Sequence, residues 1–353
     1  MNGIDTTGKI QNTGDLYDKI SVIVEQARQK AITAVNLTMV YAYYEIGCYI
    51  VEDEQQGAQR AEYGKAVLKE LSERLTERFG KGFSERNLEQ MRFFYQTYSK
   101  SISQTVFAKL PFTLSWSHYL VLMRIENPEA RRFYEIEATQ EQWSVRQLAR
   151  QCASSLYERL ALSRNKKEMM RLAQKGQIIE KPKDLFNNPL VLEFLGLEEK
   201  AVYTESDLEN CILNNLQKFL LEMGKGFLFE ARQKRFTFDE EHYFLDLVLY
   251  NRLLQSYVLI DFKTKKLSHK DLEQMQMYVN YYDRNIKQTH ETPTIGILLC
   301  KTANQALVEL TLPENANIYA TQYALYLPNK ELMQNKLKEW INEYNSEKGG
   351  NNE

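Results

Sequence analysis

The chain changes its hydrophobic period part-way along, and that change limits the folds open to it. From about Leu16 to Leu162, apolar residues recur at three- and four-residue intervals, which place a stripe on one face of an α-helix. Beyond about Gly226, short apolar runs bounded by turn residues take over, and these read as strands. Neither a single bundle nor a single barrel accommodates both. The pattern predicts an α+β chain of two domains: a mainly α-helical N-terminal domain over 15–174 and a mixed α/β domain over 190–345. The segment 175–189, KGQIIEKPKDLFNNP, has two prolines, a glycine and paired asparagines, and reads as the linker. The tail 346–353, SEKGGNNE, is expected to be disordered.

Composition removes several classes of function. With 43% hydrophobic residues in 353, the chain has enough apolar material to bury real cores. Lys plus Arg (45) nearly cancels Asp plus Glu (47), which excludes a polycation that coats nucleic acid but leaves room for a local basic surface. No run approaches the ~18–20 apolar residues of a membrane helix. The opening MNGIDTTGKIQNTGD lacks the apolar centre of a signal peptide, so no membrane partner is expected. Cys48, Cys152, Cys211 and Cys300 stand far apart without a CxxC, and the four histidines show no ligand spacing. Both observations point to buried thiols in a reducing cytoplasm.

The N-terminal half predicts helices over Tyr17 to Glu52, Ala61 to Phe79 (stopped by Gly80-Lys81-Gly82) and Glu85 to Tyr98, capped by Ser84. A capping box at Ser144–Gln147 opens another helix toward Leu160. Leu190 to Leu197 reads as a small helix, and a capping box at Ser206–Glu209 opens a helix running to Gly224. Strands follow at 226–236, 242–250 and 257–263, then a helix at 268–283 and a strand at 294–300 buried on both faces. A short helix at 304–310, an edge strand at 318–320 and a closing helix at 330–344 complete the series.

Chemistry is signalled by charge where strands should be apolar. Asp246 interrupts HYFLDLVLY, and SYVLIDFK ends in Asp261-Phe262-Lys263. An unpaired buried carboxylate costs several kcal/mol and needs a cation beside it. Two carboxylates on neighbouring strands suit a hard divalent ion such as Mg²⁺ or Mn²⁺. Alternation sends Asp261 and Lys263 to one face and Phe262 to the other, so the lysine can orient water or stabilise charge on a phosphate. Each residue also has a plainer reading. Asp246 alone could be salt-bridged to Arg235 or Lys234, and Asp261 and Lys263 could form a strand-end ion pair.

In this order of elements the sequence resembles the PD-(D/E)XK nuclease superfamily. Asp246 matches the first acidic position and Asp261-Phe262-Lys263 the (D/E)xK element. Within the superfamily it is similar to the YhcG-type nucleases, through FLLEMGKGFLFEARQKRF, FLDLVLYNRLLQSYVLIDFK and LEQMQMYVNYYD in the C-terminal half. In the N-terminal half the likeness runs through AEYGKAVLKELSERLTERFGKGFSERNLEQMRFFY, LSWSHYLVLMRIENPEARRFY and WSVRQLARQ. The resemblance implies a restriction-endonuclease-like αβββαβ core, Mg²⁺-dependent phosphodiester hydrolysis and a nucleic-acid substrate. Position by position, it makes Asp246 and Asp261 metal ligands with the Phe262 carbonyl, and Lys263 the cation that orients water. It adds a glutamate on the first core helix, Glu209 or failing that Glu205, and the polar Gln274 near the site. Glu209 is equally explained as the N3 residue of the Ser206 capping box, and Gln274 as a solvated helix residue. Leu245 stands where the family name has proline, and Asp261 replaces the more frequent glutamate, shortening that ligand by one methylene.

Arginine is concentrated before the linker, where twelve positions including Arg74, Arg78, Arg146, Arg150, Arg159 and Arg171 could face DNA. The helices joined by GKGFS resemble a helix-turn-helix, with Arg86, Asn87, Gln90 and Arg92 at the start of the recognition helix. Lys265 and Lys266 are either phosphate contacts or solvated surface. A bundle for dimerisation or protein docking fits the same pattern. The resulting expectation is a cytoplasmic, Mg²⁺-dependent endonuclease acting on DNA as a homodimer, in genome defence or DNA processing. A catalytically silent DNA-binding scaffold and an RNA-cleaving toxin are the alternatives.

Overall fold

The computed structural model describes residues 7–56, 61–102, 112–162, 166–185, 189–198, 203–238, 240–302, 305–313 and 316–349. These group into two compact units, 1–131 with 143–145, and 132–142 with 146–353.

The first unit is helical: α1 (Thr7–Gln56), α2 (Ala61–Phe79), α3 (Glu85–Ile102), α4 (Trp116–Leu122) and the start of α5 (Pro128–Gln140). Its centre is aromatic. Phe94 meets Tyr44, Tyr98, Phe112, Trp116 and Tyr119 with ring centroids 5.0–5.8 Å apart, mostly tilted or edge-on. Of the Phe93-Phe94-Tyr95 cluster, Phe94 is buried and Phe93 is exposed. α1 is longer than its periodicity indicates, and Leu16, Tyr17, Ile20, Ile23 and Val24 remain exposed on it.

The second unit continues with α6 (Val145–Ala153), α7 (Leu156–Leu162) and α8 (Lys166–Lys175). The helix expected to run unbroken toward Leu160 stops at Ala153, because Ser155 adopts a left-handed φ of 53° between α6 and α7. Then come β1 (Leu190–Val191), α9 (Glu205–Asn214), α10 (Leu216–Met223), β2 (Phe227–Phe238), β3 (Glu241–Asn251) and β4 (Ser256–Lys263). α11 (His269–Asn285), β5 (Ile295–Cys300), α12 (Gln305–Thr311), β6 (Ile318–Ala324) and α13 (Lys330–Gly349) complete it.

The αβββαβ order is present. The sheet runs β1-β6-β5-β4-β3-β2, antiparallel from β2 to β4 and parallel from β4 through β5 and β6 to β1. One face packs Leu247, Ile260, Phe262 and Leu299 against Leu208, Ile212 and Phe219 of α9 and α10. The other packs Leu245, Val248, Leu259 and Leu298 against Leu272, Met275, Tyr278 and Tyr282 of α11. With helices on both faces, β4 and β5 can be nearly continuous apolar runs. Gly296 of β5 lets α11 approach, since a Cβ there would meet Met275 Cγ and Sδ at 2.8 Å.

Several expectations change. Leu190–Leu197 is not a helix: Leu190–Val191 pairs with β6, and a 3-10 turn follows at Glu193–Leu195. β6 is therefore flanked on both sides rather than at an edge, and it extends to Ala324. The helix expected from Ser206 to Gly224 is two helices, broken at Asn215. Its first cap is Thr204, whose amide donates to Asp207 Oδ2 at 2.9 Å while Thr204 Oγ1 accepts from the Asp207 amide at 3.1 Å. α13 runs to Gly349, into the tail expected to be disordered, and residues 350–353 lie outside the described residues.

Candidate active site

The site forms where the sheet comes apart. β4 stays paired with β5 as far as Lys263 and Cys300. Its antiparallel ladder with β3 ends at Leu247 and Ile260, one residue before Asp246 and Asp261 would face each other. The ladder between β2 and β3 skips the same place, pairing Arg232 with Leu247 and Lys234 with Leu245 but leaving Gln233 and Asp246 unpaired. Alternation slips there too: Leu247 and Leu249 belong to one core, while Leu245 and Val248 belong to the other. Asp246 thus leaves the apolar pattern at a local break in two strands, with its carboxylate free to bond sideways.

Each carboxylate has defined neighbours. Asp246 Oδ2 accepts the Phe262 amide at 2.8 Å, and Oδ1 accepts from Gln233 Nε2 at 3.0 Å. The same Gln233 nitrogen donates to Glu209 Oε2 at 2.6 Å. Asp261, 3% exposed, has Oδ2 2.7 Å from Lys263 Nζ, a close ion pair at the end of the strand. Lys263 also lies 3.6 Å from Asp271 Oδ1 and 3.9 Å from Glu205 Oε2. Glu205 Oε1 in turn accepts the Thr264 amide at 3.3 Å.

These surroundings move the titrations. Burial pushes the Asp261 carboxyl up to about 7, with Lys263 opposing and Asp246 reinforcing the change. Burial also raises Asp246, which the Phe262 amide partly offsets. For Lys263 burial acts downward, but the carboxylates of Asp261, Glu205 and Asp271 together outweigh it, and the net direction is upward. The ammonium is therefore held charged.

Of the residues expected at the site, Asp246, Asp261, Lys263, Glu209 and Glu205 come together around the end of β4. Glu209 is 7% exposed and is not the N3 residue of a capping box, because the cap is Thr204 and Asp207 takes that position. Gln274 of α11 donates to the Tyr278 hydroxyl at 2.5 Å, and that hydroxyl donates to the Phe244 carbonyl at 2.8 Å. Burial raises Tyr278 to about 12, and the charges of Asp261, Lys263 and Asp246 reach it. The salt bridges considered for Asp246 with Lys234 or Arg235 are absent among the described residues; Gln233 and Phe262 take their place.

Gln233 and Tyr278 were missed by reading the sequence. Tyr278 carries a signal, standing four residues after Gln274 on the same helix face. Gln233 carries none, because its role arises from a break in strand pairing.

The donors available to a cation are all oxygen and mutually repelling, with Asp261 and Glu209 buried and Asp246 half-buried, which is the chemistry a hard divalent ion relieves. Among the described residues, no three such side chains already converge as a metal cluster. Asp261 instead faces Lys263, while Gln233 and the Phe262 amide hold Asp246.

The other candidates for nucleic-acid contact fare differently. Arg92 pairs with Glu54 at 2.7 Å, and Asn87 bonds the Gly82 carbonyl and Trp116 Nε1. Arg86 is exposed and Gln90 half-buried. Several arginines expected to face DNA serve the fold. Arg159 is buried against Glu222 at 2.7 Å, and Arg150 joins Glu222 and Glu193 at 3.1 and 3.0 Å. Arg171 pairs with Glu180 and Arg74 with Glu70. Lys265 and Lys266 are exposed just beyond Lys263.

Comparison with known proteins gives the family. Residues 19–159 match the family described as DUF1016 N-terminal domain, and residues 183–338 match the YhcG PDDEXK nuclease domain. The chain is 36% identical over 350 residues to "Putative nuclease YhcG" of Escherichia coli (strain K12), covering 91% of this chain and 92% of that protein. A crystal structure of a repair endonuclease from Pyrococcus abyssi overlaps 37% of this chain and 50% of its own, at 18% identity and a TM-score of 0.26. The chain belongs to the YhcG-type PDDEXK nucleases, a family whose fold acts on nucleic acid.

Proposed function

We propose that this protein is a divalent-metal-dependent endonuclease that hydrolyses phosphodiester bonds, with DNA as substrate. The observation that carries the reading is the buried Asp261 beside the half-buried Asp246 and Lys263, where the β3–β4 ladder ends. Asp246 and Asp261 would hold Mg²⁺ or Mn²⁺, with Glu209 and the Phe262 carbonyl as further ligands. A cation there supplies positive charge to the scissile phosphate and acidifies water. Because its neighbours keep Lys263 protonated, that lysine acts as a fixed charge toward water and phosphate rather than as a base. Gln274 and Tyr278 form the polar wall on the α11 side.

The nucleic acid would run past this opening along the edge strand β2. There Arg232, Lys234 and Arg235 are exposed, as are Lys265 and Lys266 beyond β4, and none of the five makes an ion pair among the described residues. A homodimer is part of the reading, supported by the exposed apolar residues of α1. So is a cytoplasmic setting, supported by four free cysteines. The helical domain binds DNA or the second copy.

Cleavage of supercoiled plasmid, a branched junction and an RNA transcript, with Mg²⁺, Mn²⁺ or EDTA, tests the reading. Metal-dependent cutting of DNA, lost in folded Asp261→Ala and Lys263→Ala, is the expected result. Cutting confined to RNA would replace the substrate. Tight binding without metal-dependent cutting would leave a silent DNA-binding protein.

A further inference from the structure

The backbone of β2 is bent against its own preference at one residue, and that residue ties two site carboxylates together. Gln233 has φ of 45°, in the left-handed region that a glutamine seldom enters. It lies in a strand, opposite Asp246, at a place where both the ladder and the facial alternation are interrupted. A regular strand would keep Gln233 in the ladder and leave Asp246 among apolar neighbours. The bend instead brings Nε2 within 2.6 Å of Glu209 Oε2 and 3.0 Å of Asp246 Oδ1. A primary amide has two N–H donors, and here each has a carboxylate from a different element, α9 and β3. Backbone strain retained where a side chain bridges two charged groups points to function rather than to folding alone.

We propose that Gln233 is the positioning residue of the carboxylate site: its amide holds Glu209 and Asp246 at a fixed separation and orientation, so that a divalent cation meets a preformed pair. The proposal rests on the metal-dependent reading above. Glu209 has no other side-chain hydrogen bond among the described residues, and Asp246 is held besides by the Phe262 amide and by Asp261 alongside it. Without the bridge the two carboxylates repel and turn apart, and the cation must then draw them together. Groups that orient metal ligands from outside typically contribute about 10–100-fold to metal affinity.

The test uses the full chain and Mn²⁺ as probe, with affinity measured by calorimetry and by electron paramagnetic resonance of the free ion, in the absence of substrate. Gln233→Gly is the decisive variant, since glycine accepts the positive φ and removes only the amide. It is expected to keep the wild-type melting temperature in EDTA or exceed it, yet bind Mn²⁺ at least about tenfold more weakly. Gln233→Glu keeps the shape, replaces the donor with a third negative charge, and is expected to lower the metal-free melting temperature. In cleavage assays Gln233→Gly should require more metal for half-maximal rate, with substrate KM little changed. A Gln233→Gly protein that binds Mn²⁺ within twofold of wild type, while Asp261→Ala has lost binding, overturns the role of Gln233 and leaves the metal site standing. Wild-type protein that binds no Mn²⁺, indistinguishable from Asp261→Ala, overturns the metal reading and this proposal with it.

Discussion

Asp261 is held in the folded chain with its proton bound far more tightly than an ordinary carboxyl, and the sign of that shift has a measurable consequence. Its pKa lies near 7 because burial penalises the charged form. Folded protein therefore binds more protons than unfolded chain between about pH 4 and pH 7, and metal-free stability falls as pH rises through that window and levels off above it. The contribution is on the order of 2 kcal/mol, reduced from the full shift because Asp246 titrates in concert. In EDTA, thermal unfolding from pH 4 to pH 8 should show this decline, and Asp261→Asn should flatten it; a decline of equal slope in the variant would remove Asp261 as its source. Asp246, Asp261 and Lys263 were legible in the sequence because charge inside an apolar strand is conspicuous by itself. Glu209 was legible only as an ambiguity, since a glutamate three residues after a serine at a helix start also spells a cap. The structure removes the capping reading by starting the helix at Thr204, with Asp207 as the capping acid. Gln233 was not legible, because what makes it matter is a positive φ and a missing ladder pair, and neither has a residue-type signature at glutamine.

At the scale of elements, the site depends on how closely α11 lies on the sheet. Asp271 reaches Lys263 at the end of β4, and Tyr278 reaches the Phe244 carbonyl, with Met275 resting on β5 at Gly296, where there is no side chain. Gly296→Val would push a branched side chain into Met275 atoms that a Cβ alone would meet at 2.8 Å. Overpacking of this kind costs about 1–3 kcal/mol, and the helix is the part free to move. The expected outcome is a lower melting temperature together with weakened cleavage; unchanged cleavage in a destabilised variant would mean that the α11 face does not serve the reaction. Strands β2 to β5 and helix α11 were readable from period and punctuation, each within a few residues. β1 was not, because two residues cannot display a period, and its identity as a strand comes from parallel pairing with β6. The same omission made β6 look like an edge. Arg150 and Arg159 misled for a related reason: arginine that binds phosphate and arginine that binds a buried glutamate look alike in sequence, and Glu222, 0% exposed, sits more than sixty residues from both.

For the whole molecule, a net charge of −2 means that any attraction to a polyanion has to be local. Two surfaces compete for that role, and the structure weights them unequally. At the start of α3, Arg92 and Asn87 are occupied by Glu54, the Gly82 carbonyl and Trp116, leaving Arg86 as the exposed cation. On β2, Arg232, Lys234 and Arg235 stand together on the open edge of the sheet, on either side of the residue that faces Asp246, without ion pairs among the described residues. Each cation that neutralises a phosphate contributes about 0.9 to the slope of log affinity against log salt on duplex DNA. Binding measured in EDTA, where no cleavage occurs, should therefore lose about 2 to 3 from that slope when Arg232, Lys234 and Arg235 are all changed to Gln. Arg86→Gln should remove no more than about 1. If the slope instead falls with Arg86 and is indifferent to the β2 substitutions, the duplex is held by the helical unit and the edge strand merely lies in solvent. The cleavage assay would then show the β2 variant cutting at the wild-type rate at every salt concentration.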